Sequence, residues 1–267
     1  MVSERPVRRQ AVPMLLLTTL FWGLSFPLVK AIGLAHRQVR PGSGTLFITA
    51  YTIAPRFLLA TAVLLAVLAP KLGRFTRGEI RQGLLLGLTL GAGMLLQNDG
   101  LQFTSASTSA FLTQLYAVMI PAWLALRARR SPPGIVWLCG GLVLAGVAVL
   151  GRFDFRDLHL GRGELETLLS SVFFMMQILV LGRKGYAGNR ALPVTLVMFG
   201  VEAVAFAAMA WGTAPDSVAL LAPWASLPWL GFTILLTLVC TLGSFSLMNR
   251  WQPAVTATEA GLIYCIE

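Results

Sequence analysis

Eight stretches of roughly twenty mostly apolar residues follow one another along this chain, each long enough to cross the ~30 Å hydrocarbon core of a bilayer. They run Met14–Gly33, Tyr51–Ala69, Gly83–Gly100, Thr108–Leu126, Gly134–Gly151, Glu164–Gly182, Pro193–Gly212 and Pro228–Met248. A ninth opens at Ala254 and reaches Glu267 without a polar tail, so it reads as an interrupted helix. Backbone in lipid must satisfy its N–H and C=O groups internally, which at these lengths an α-helix does. The pattern predicts an all-α polytopic membrane protein. Composition agrees: 12% of the 267 residues are charged and mean hydropathy is +0.75, whereas soluble domains carry roughly 25% charged residues. Arg5, Arg8 and Arg9 before the run from Met14 resemble a signal peptide. The run continues past Trp22 and Pro27 to Ile32, so it reads as a retained first helix.

The net charge of +10 suggests nucleic acid until its distribution is examined. With the N-terminus placed in the cytoplasm, the cytoplasmic segments hold Arg5, Arg8, Arg9, Lys71, Arg74, Arg77, Arg81, Arg127, Arg129, Arg130, Arg183, Lys184, Arg190 and Arg250. The opposite side holds Arg37, Arg40, Arg152, Arg156 and Arg162, while Lys30 and Arg56 fall within spans. Cytoplasmic loops of membrane proteins collect lysine and arginine in this way. The basic balance is thus explained without nucleic acid, and the bacterial cytoplasmic membrane is the expected location.

The stretch Asn98–Trp123 has an echo at Met248–Glu267. An offset of 147 residues pairs Leu115 with Leu262, Leu95 with Leu242, Ala110 with Ala257 and Ser109 with Thr256. The order of helices around the two stretches also repeats. Five helices per half is an odd number, which turns the second half over relative to the first. Residues 1–151 and 152–267 therefore read as two inverted five-helix repeats of a ten-helix fold, here eight helices and part of the ninth. Inverted repeats suit alternating access to a midplane site. Small residues four apart, Gly83, Gly87 and Gly91 on the third helix and Gly141 with Ala145 on the fifth, predict close helix packing.

Several segments carry a family resemblance. FWGLSFPLVK (Phe21–Lys30), PRFLLA (Pro55–Ala60), LQFTSASTSAFL (Leu101–Leu112) and GGLVLAGVAVLG (Gly140–Gly151) resemble, in this order, parts of helices one, two, four and five of the EamA-type permeases in the drug/metabolite transporter superfamily. The chain departs from that pattern in LRARRSPP, where the family often has a Gly-Glu pair, and in a long loop from Leu34 to Ala50. The resemblance implies ten helices with cytoplasmic ends and export or uptake of small polar or amphipathic metabolites.

Ionisable groups inside a bilayer are costly and face a cavity or a partner. Glu202, alone in VMFGVEAVAFAA, is the clearest case, a candidate to load and release a proton or to pair with another helix. Arg56 and Lys30 fall toward the outer ends of their spans, where either base can pair with Asp99 or snorkel to the outer interface, the favoured reading for Lys30; Arg56, the deeper, can instead bind an anionic substrate group. Trp22, Gln97, Asn98, Gln114, Tyr116 and Gln177 add polar or amphipathic groups within spans, the mixture expected of a binding site and equally of interhelical hydrogen bonds. Tyr264 belongs with them, and Glu259 enters the ninth helix. Pro27, Pro55 and Pro121 are candidate helix breaks or kinks. No cofactor or metal is expected: Cys139, Cys240 and Cys265 lack metal spacing, and the histidines, His36 and His159, fall in connecting segments. Neither a P-loop nor HExxH is present. An intramembrane enzyme would need a base for Ser170 or Ser171, and none is visible. The expected partners are a small-molecule substrate, protons and the lipid bilayer. A nucleotide-sugar or sugar-phosphate carrier of the same superfamily is the alternative, on the strength of Arg56 and Lys30.

Overall fold

The computed structural model describes residues 4–150 and 161–266; the expected repeat boundary at 151/152, and with it Arg152, Arg156, His159 and Glu267, lies outside them. The first half holds α1 (Glu4–Gly23), α2 (Ser25–Val39), α3 (Thr45–Leu72), α4 (Arg77–Gly100), α5 (Ala106–Thr113), α6 (Tyr116–Ala128) and α7 (Gly134–Leu150). The second holds α8 (Arg162–Leu181), α9 (Ala191–Thr213), the short α10 (Ser217–Leu221), α11 (Leu227–Leu235), α12 (Ser244–Trp251) and α13 (Ala257–Tyr264). A π-helical stretch, Leu236–Gly243, joins α11 to α12. Among the described residues there is no strand, and six helical stretches are long and apolar enough to cross a membrane: Arg8–Val39, Thr45–Val67, Ala106–Ala128, Arg162–Leu181, Ala191–Thr213 and Leu227–Ala254. The chain is an all-α polytopic membrane protein.

The third expected span, α4, is not among those six because both its ends are polar. Its polar residues are covered by protein: Glu79, Gln82, Asn98 and Asp99 are all buried, and α4 packs against α8 and α9. Small residues make that contact possible. A methyl group on Gly87 would lie 2.7 Å from Val201 Cβ, and one on Gly91 would lie 3.2 Å from Glu202 Oε1. The α4 stripe thus seats the α9 ridge of Val197, Val201 and Glu202, as close packing in lipid requires. Gly141 differs from the expectation, since nothing lies within 4 Å of its Cβ position.

Proline acts at one of the three expected places. Pro27 has no N–H to offer the Gly23 carbonyl four residues back, and the helix breaks there, at Leu24, between α1 and α2. Pro55 and Pro121 instead lie inside α3 and α6. The break in the fourth span falls upstream of Pro121, at Gln114–Leu115, where the backbone tightens into i→i+3 bonds from Leu115 N to Leu112 O (3.3 Å) and Ala117 N to Gln114 O (3.0 Å). The expected long loop from Leu34 is also corrected. Helix α2 continues to Val39 because Ile32, Ala35 and His36 form a buried face. His36 is therefore a packed helical residue, edge-on to Phe47 and Tyr51, and not part of a connection.

Helix caps give the internal correspondence a firmer register than the apolar matches did. Ser105 caps α5 and Thr256 caps α13, each through a side-chain oxygen bonded to the N–H three residues on, a common N-cap arrangement. Both helices are eight residues long. The caps lie 151 residues apart, not 147. A four-residue slip rotates a helix by only about 40° beyond a full turn, so the apolar stripe realigns and the wrong register looks acceptable. One membrane span upstream, the caps Thr76 of α4 and Ser226 of α11 lie 150 residues apart. The extra residue between them is absorbed by the π-helical stretch, the usual accommodation for a single insertion in a helix.

Cross-packing links the halves. Helix α3 packs on α9, α4 on α8, and α1 and α2 on α12 and α11 respectively. The chain order of contacts shows that α4 and α11–α12 run in opposite directions: a cavity at one end touches Gln82 near the start of α4 and Asn249 near the finish of α12. Glu79, in a capping box with Thr76, fixes that end by accepting from Arg190 Nε at 2.7 Å and from Arg190 N at 3.2 Å. Hydrogen bonding to Arg190 holds its carboxyl at about 2, against the opposing effect of burial.

Candidate functional site

The middle of the bundle contains a cavity of about 50 Å³, walled by Trp22 and Ser25 at the α1–α2 break, Arg56 of α3, Met94 and Gln97 of α4, and Thr113 and Tyr116 flanking the α5–α6 break. The second half contributes Phe174, Gln177 and Ile178 of α8, Phe245 and Met248 of α12, and Tyr264 of α13. Across this cavity the 151-residue correspondence becomes spatial. Met94 matches Phe245, Gln97 matches Met248, and Thr113 matches Tyr264. At these three places a wall residue of one half faces its equivalent from the other; Trp22, Ser25, Arg56, Tyr116, Phe174, Gln177 and Ile178 have no such partner in the wall.

The local geometry explains the lining. Trp22 reaches the cavity at the break made by Pro27 and packs against Phe245 (5.4 Å between centroids) and Tyr264 (5.1 Å). Its indole N–H has no hydrogen-bond partner. Gln97 Nε2 donates to Thr113 Oγ1 at 3.0 Å, tying α4 to the end of α5. The Tyr264 hydroxyl donates to Gln252 Oε1 at 3.0 Å, and Gln252 Nε2 donates to the Ile178 carbonyl at 2.9 Å, so α13 is locked to α8. The wall is mainly apolar and aromatic with a few oriented polar groups, the character of a small-molecule site.

Arg56 is fully buried and spends its donors on the π-helical stretch, through Nε to Thr241 Oγ1 and through Nη2 to the Cys240 carbonyl at 3.2 Å. The insertion in α11–α12 thus presents backbone and side-chain acceptors to the buried cation. Glu202 is the counterpart on α9, directed at Gly91 of α4, and is fully buried. Both its carboxylate oxygens lack a hydrogen-bond partner. Arg56 acts on it electrostatically. Each of the paired helices α3 and α9 therefore carries one buried charged residue toward the other half or its core.

Of the residues singled out in the sequence, Trp22, Arg56, Gln97, Tyr116, Gln177 and Tyr264 wall the central cavity. Glu202 lies outside that wall, at the α4–α9 contact. Gln114 is buried at the α5–α6 break, with Oε1 unpartnered and its carbonyl facing Cys265 Sγ at 3.8 Å. Asn98 lines a separate end cavity. Asp99 is paired neither with Arg56 nor with Lys30. It accepts from Arg162 and from Thr49 Oγ1 (3.2 Å), while Lys30 Nζ donates to the Thr104 carbonyl at 2.7 Å. The reason is chain geometry: Arg162 opens α8, which packs along α4. Ser170 and Ser171 donate to carbonyls of their own helix, at 2.6 and 2.7 Å. Sequence reasoning passed over Ser25, Met94, Thr113, Phe174, Ile178, Phe245 and Met248; the corrected register signals Met94, Thr113, Phe245 and Met248, and nothing in the sequence marks the other three. Among the described residues no group of three His, Cys, Asp or Glu side chains is placed to hold a metal.

No curated protein matches the chain. The model of the EamA-like transporter family matches residues 9–152. That match covers more than half of the chain and joins the helical membrane fold: the chain belongs to the EamA-like transporter family.

Proposed function

We propose that the protein is a secondary transporter of small polar or amphipathic metabolites, working by alternating access between residues 1–151 and 152–267 as two inverted repeats. The observation that carries this reading is the central cavity, to whose wall both parts of the chain contribute, at three places through residues 151 apart. At about 50 Å³ it has room for a few waters, whereas drug-sized ligands need ~300–1,000 Å³. Loading a solute requires the walls to part. Walls built from paired, oppositely running helices part on one side as they close on the other. The N-terminus is assigned to the cytoplasm of a bacterial inner membrane, because Arg77, Arg81, Arg190 and Arg250 gather at one end of the bundle and Arg37, Arg40 and Arg162 at the other.

Glu202 is the proposed proton carrier. A buried carboxylate without hydrogen bonds is costly in its charged form, and movement of α9 against α4 would change what it meets. The test is uptake into proteoliposomes with and without an imposed pH gradient. Flux that follows the gradient in the parent and ignores it in Glu202→Gln supports proton coupling; unchanged gradient dependence in the variant excludes it.

A second reading, an anion carrier of the sugar-phosphate or nucleotide-sugar type, draws on one observation. Lys30 and Arg37 border an end cavity of about 250 Å³, and their hydrogen bonds go to neutral acceptors, the Thr104 carbonyl and Gln102 Oε1. Competition by inorganic phosphate against the transported solute separates the two readings.

A further inference from the structure

Three cavities succeed one another along α4 and α12. On α4, Met94 and Gln97 face the central cavity, and Asn98, the next residue, lines the end cavity of about 250 Å³ beside Lys30 and Thr49. On α12, Phe245 and Met248 face the central cavity, and Asn249, again the next residue, lines a cavity of about 290 Å³ beside Gln82 and Tyr186. Asn98 and Asn249 are 151 residues apart, in the register set by the helix caps. The two end cavities touch α4 at Asn98 and at Gln82, sixteen residues and about 24 Å apart along a helix. They lie at opposite ends of the bundle and are of similar size.

The two asparagines share one further property. Each is 4% exposed. Each donates its amide N–H internally, Asn98 to the Met94 carbonyl at 2.8 Å and Asn249 to Thr195 Oγ1 at 2.9 Å. In each the amide oxygen has no hydrogen-bond partner among the described residues. A buried acceptor without a donor carries a desolvation penalty, and native structures rarely leave one unused. One such oxygen would be a local defect. The same oxygen orphaned at equivalent positions, each beside an end cavity and one residue on from a position that walls the central one, is a pattern.

We infer that Asn98 and Asn249 are a matched pair of recognition sites, one at the inner end of each access path, whose amide oxygens accept a hydrogen bond from an N–H or O–H group of the permeating solute. The inference rests on the transporter reading and deepens it, by placing the same acceptor at the threshold of the central cavity on either side. It specifies the solute class as one bearing a hydrogen-bond donor, such as an ammonium, amide or hydroxyl. Water offers the same chemistry, and the experiment below distinguishes it from the solute.

The experiment uses the intact transporter in oriented proteoliposomes, with Cys139, Cys240 and Cys265 replaced by alanine. Asn98→Cys and Asn249→Cys are exposed to a membrane-impermeant methanethiosulfonate from one face and then from the other. The expected result is modification of each cysteine from a single face, the two faces being opposite. Modification of both from the same face, or of neither from any face, overturns the inference while flux in the parent still stands. For the solute arm, Asn98→Leu and Asn249→Leu should each raise KM about 3- to 10-fold for entry from their own face alone, the loss of roughly one neutral hydrogen bond. Asn→Gln at either position keeps an amide acceptor and donor without adding a charge, holds KM nearer the parental value than leucine does, and serves where the leucine variant does not fold. Unchanged KM from both faces in the leucine variants assigns the oxygens to water and overturns the recognition role. A parent that moves no solute while its cysteines label from opposite faces is the failure of the transporter reading, and the recognition role falls with it.

Discussion

Replacing Gly87 with alanine tests the α4–α9 packing that seats Glu202. The added methyl would lie 2.7 Å from Val201 Cβ and 3.2 Å from the Met198 carbonyl. Ordinary carbon–carbon contact is ~3.5–4.0 Å, so the helices must separate by about 1 Å or the Val201 backbone must shift. Overpacking of this kind costs roughly 1–3 kcal/mol, and because one neighbour is a β-branched Cβ with no rotamer to relieve it, the upper half of that range applies. Helix propensity returns roughly 1 kcal/mol, leaving a net loss of about 1–2 kcal/mol. Gly200 on α9 is the internal control, since nothing lies within 4 Å of its Cβ position. Gly200→Ala should keep only the propensity gain, up to about 1 kcal/mol. Thermal unfolding of the detergent-solubilised variants should therefore move in opposite directions, Tm falling for Gly87→Ala and rising or holding for Gly200→Ala. A Gly87→Ala protein at least as stable as Gly200→Ala would refute the close approach of the two helices.

Other consequences can be checked as directly. Glu79, held at about 2 by Arg190 against an ordinary 4.5, is more acidic folded than unfolded, so its contribution is present above pH ~4.5 and disappears as pH falls toward 2. Because Arg190 is half exposed, Glu79→Gln should lose about 1–2 kcal/mol near neutrality rather than the full linkage value, and its Tm deficit should close below pH 3; a deficit constant from pH 7 to 3 would contradict the pairing. Arg56→Lys cannot serve both Thr241 and the Cys240 carbonyl with a fork, and flux should drop about 10-fold or more, read as initial rate in proteoliposomes at matched protein density. Asp99→Asn should lower Tm through loss of the Arg162 pair and leave the KM for solute unchanged, because Asp99 does not wall the central cavity; a KM shift without a Tm shift would return Asp99 to the substrate path.

Much of the fold was legible because membrane insertion imposes one simple demand, length of apolar helix, and the expected spans recur as helices to within a few residues at most ends. The polar third helix was legible only by spacing, since its cover comes from α8 and α9 and not from lipid. Site residues were less so. Trp22 and Gln97 could be named as polar groups in spans, but nothing in sequence says which way a helix faces once Pro27 breaks it or which neighbour reaches it. Asp99 shows the limit: its partner Arg162 is 63 residues away and sat among loop charges, so the nearer bases were preferred. Register was misread by four residues for a physical reason, the near-return of a helix after one turn. The π-helical insertion that presents Thr241 and Cys240 to Arg56 leaves no composition signal, only a one-residue difference between two cap spacings.

Counterflow in proteoliposomes tests the central claim most directly. Vesicles containing the intact protein are loaded with a mixed pool of small polar metabolites, diluted into a trace-labelled pool, and followed for transient accumulation. Alternating access at one central site predicts saturable uptake driven by the internal pool, and loss of that uptake when Gln97→Trp fills the cavity in protein that still unfolds cooperatively, at a lower Tm because the Thr113 bond is lost. Labelled solute that equilibrates at the same rate with and without the internal pool would contradict alternating access, and equal counterflow in the filled-cavity variant would contradict the site.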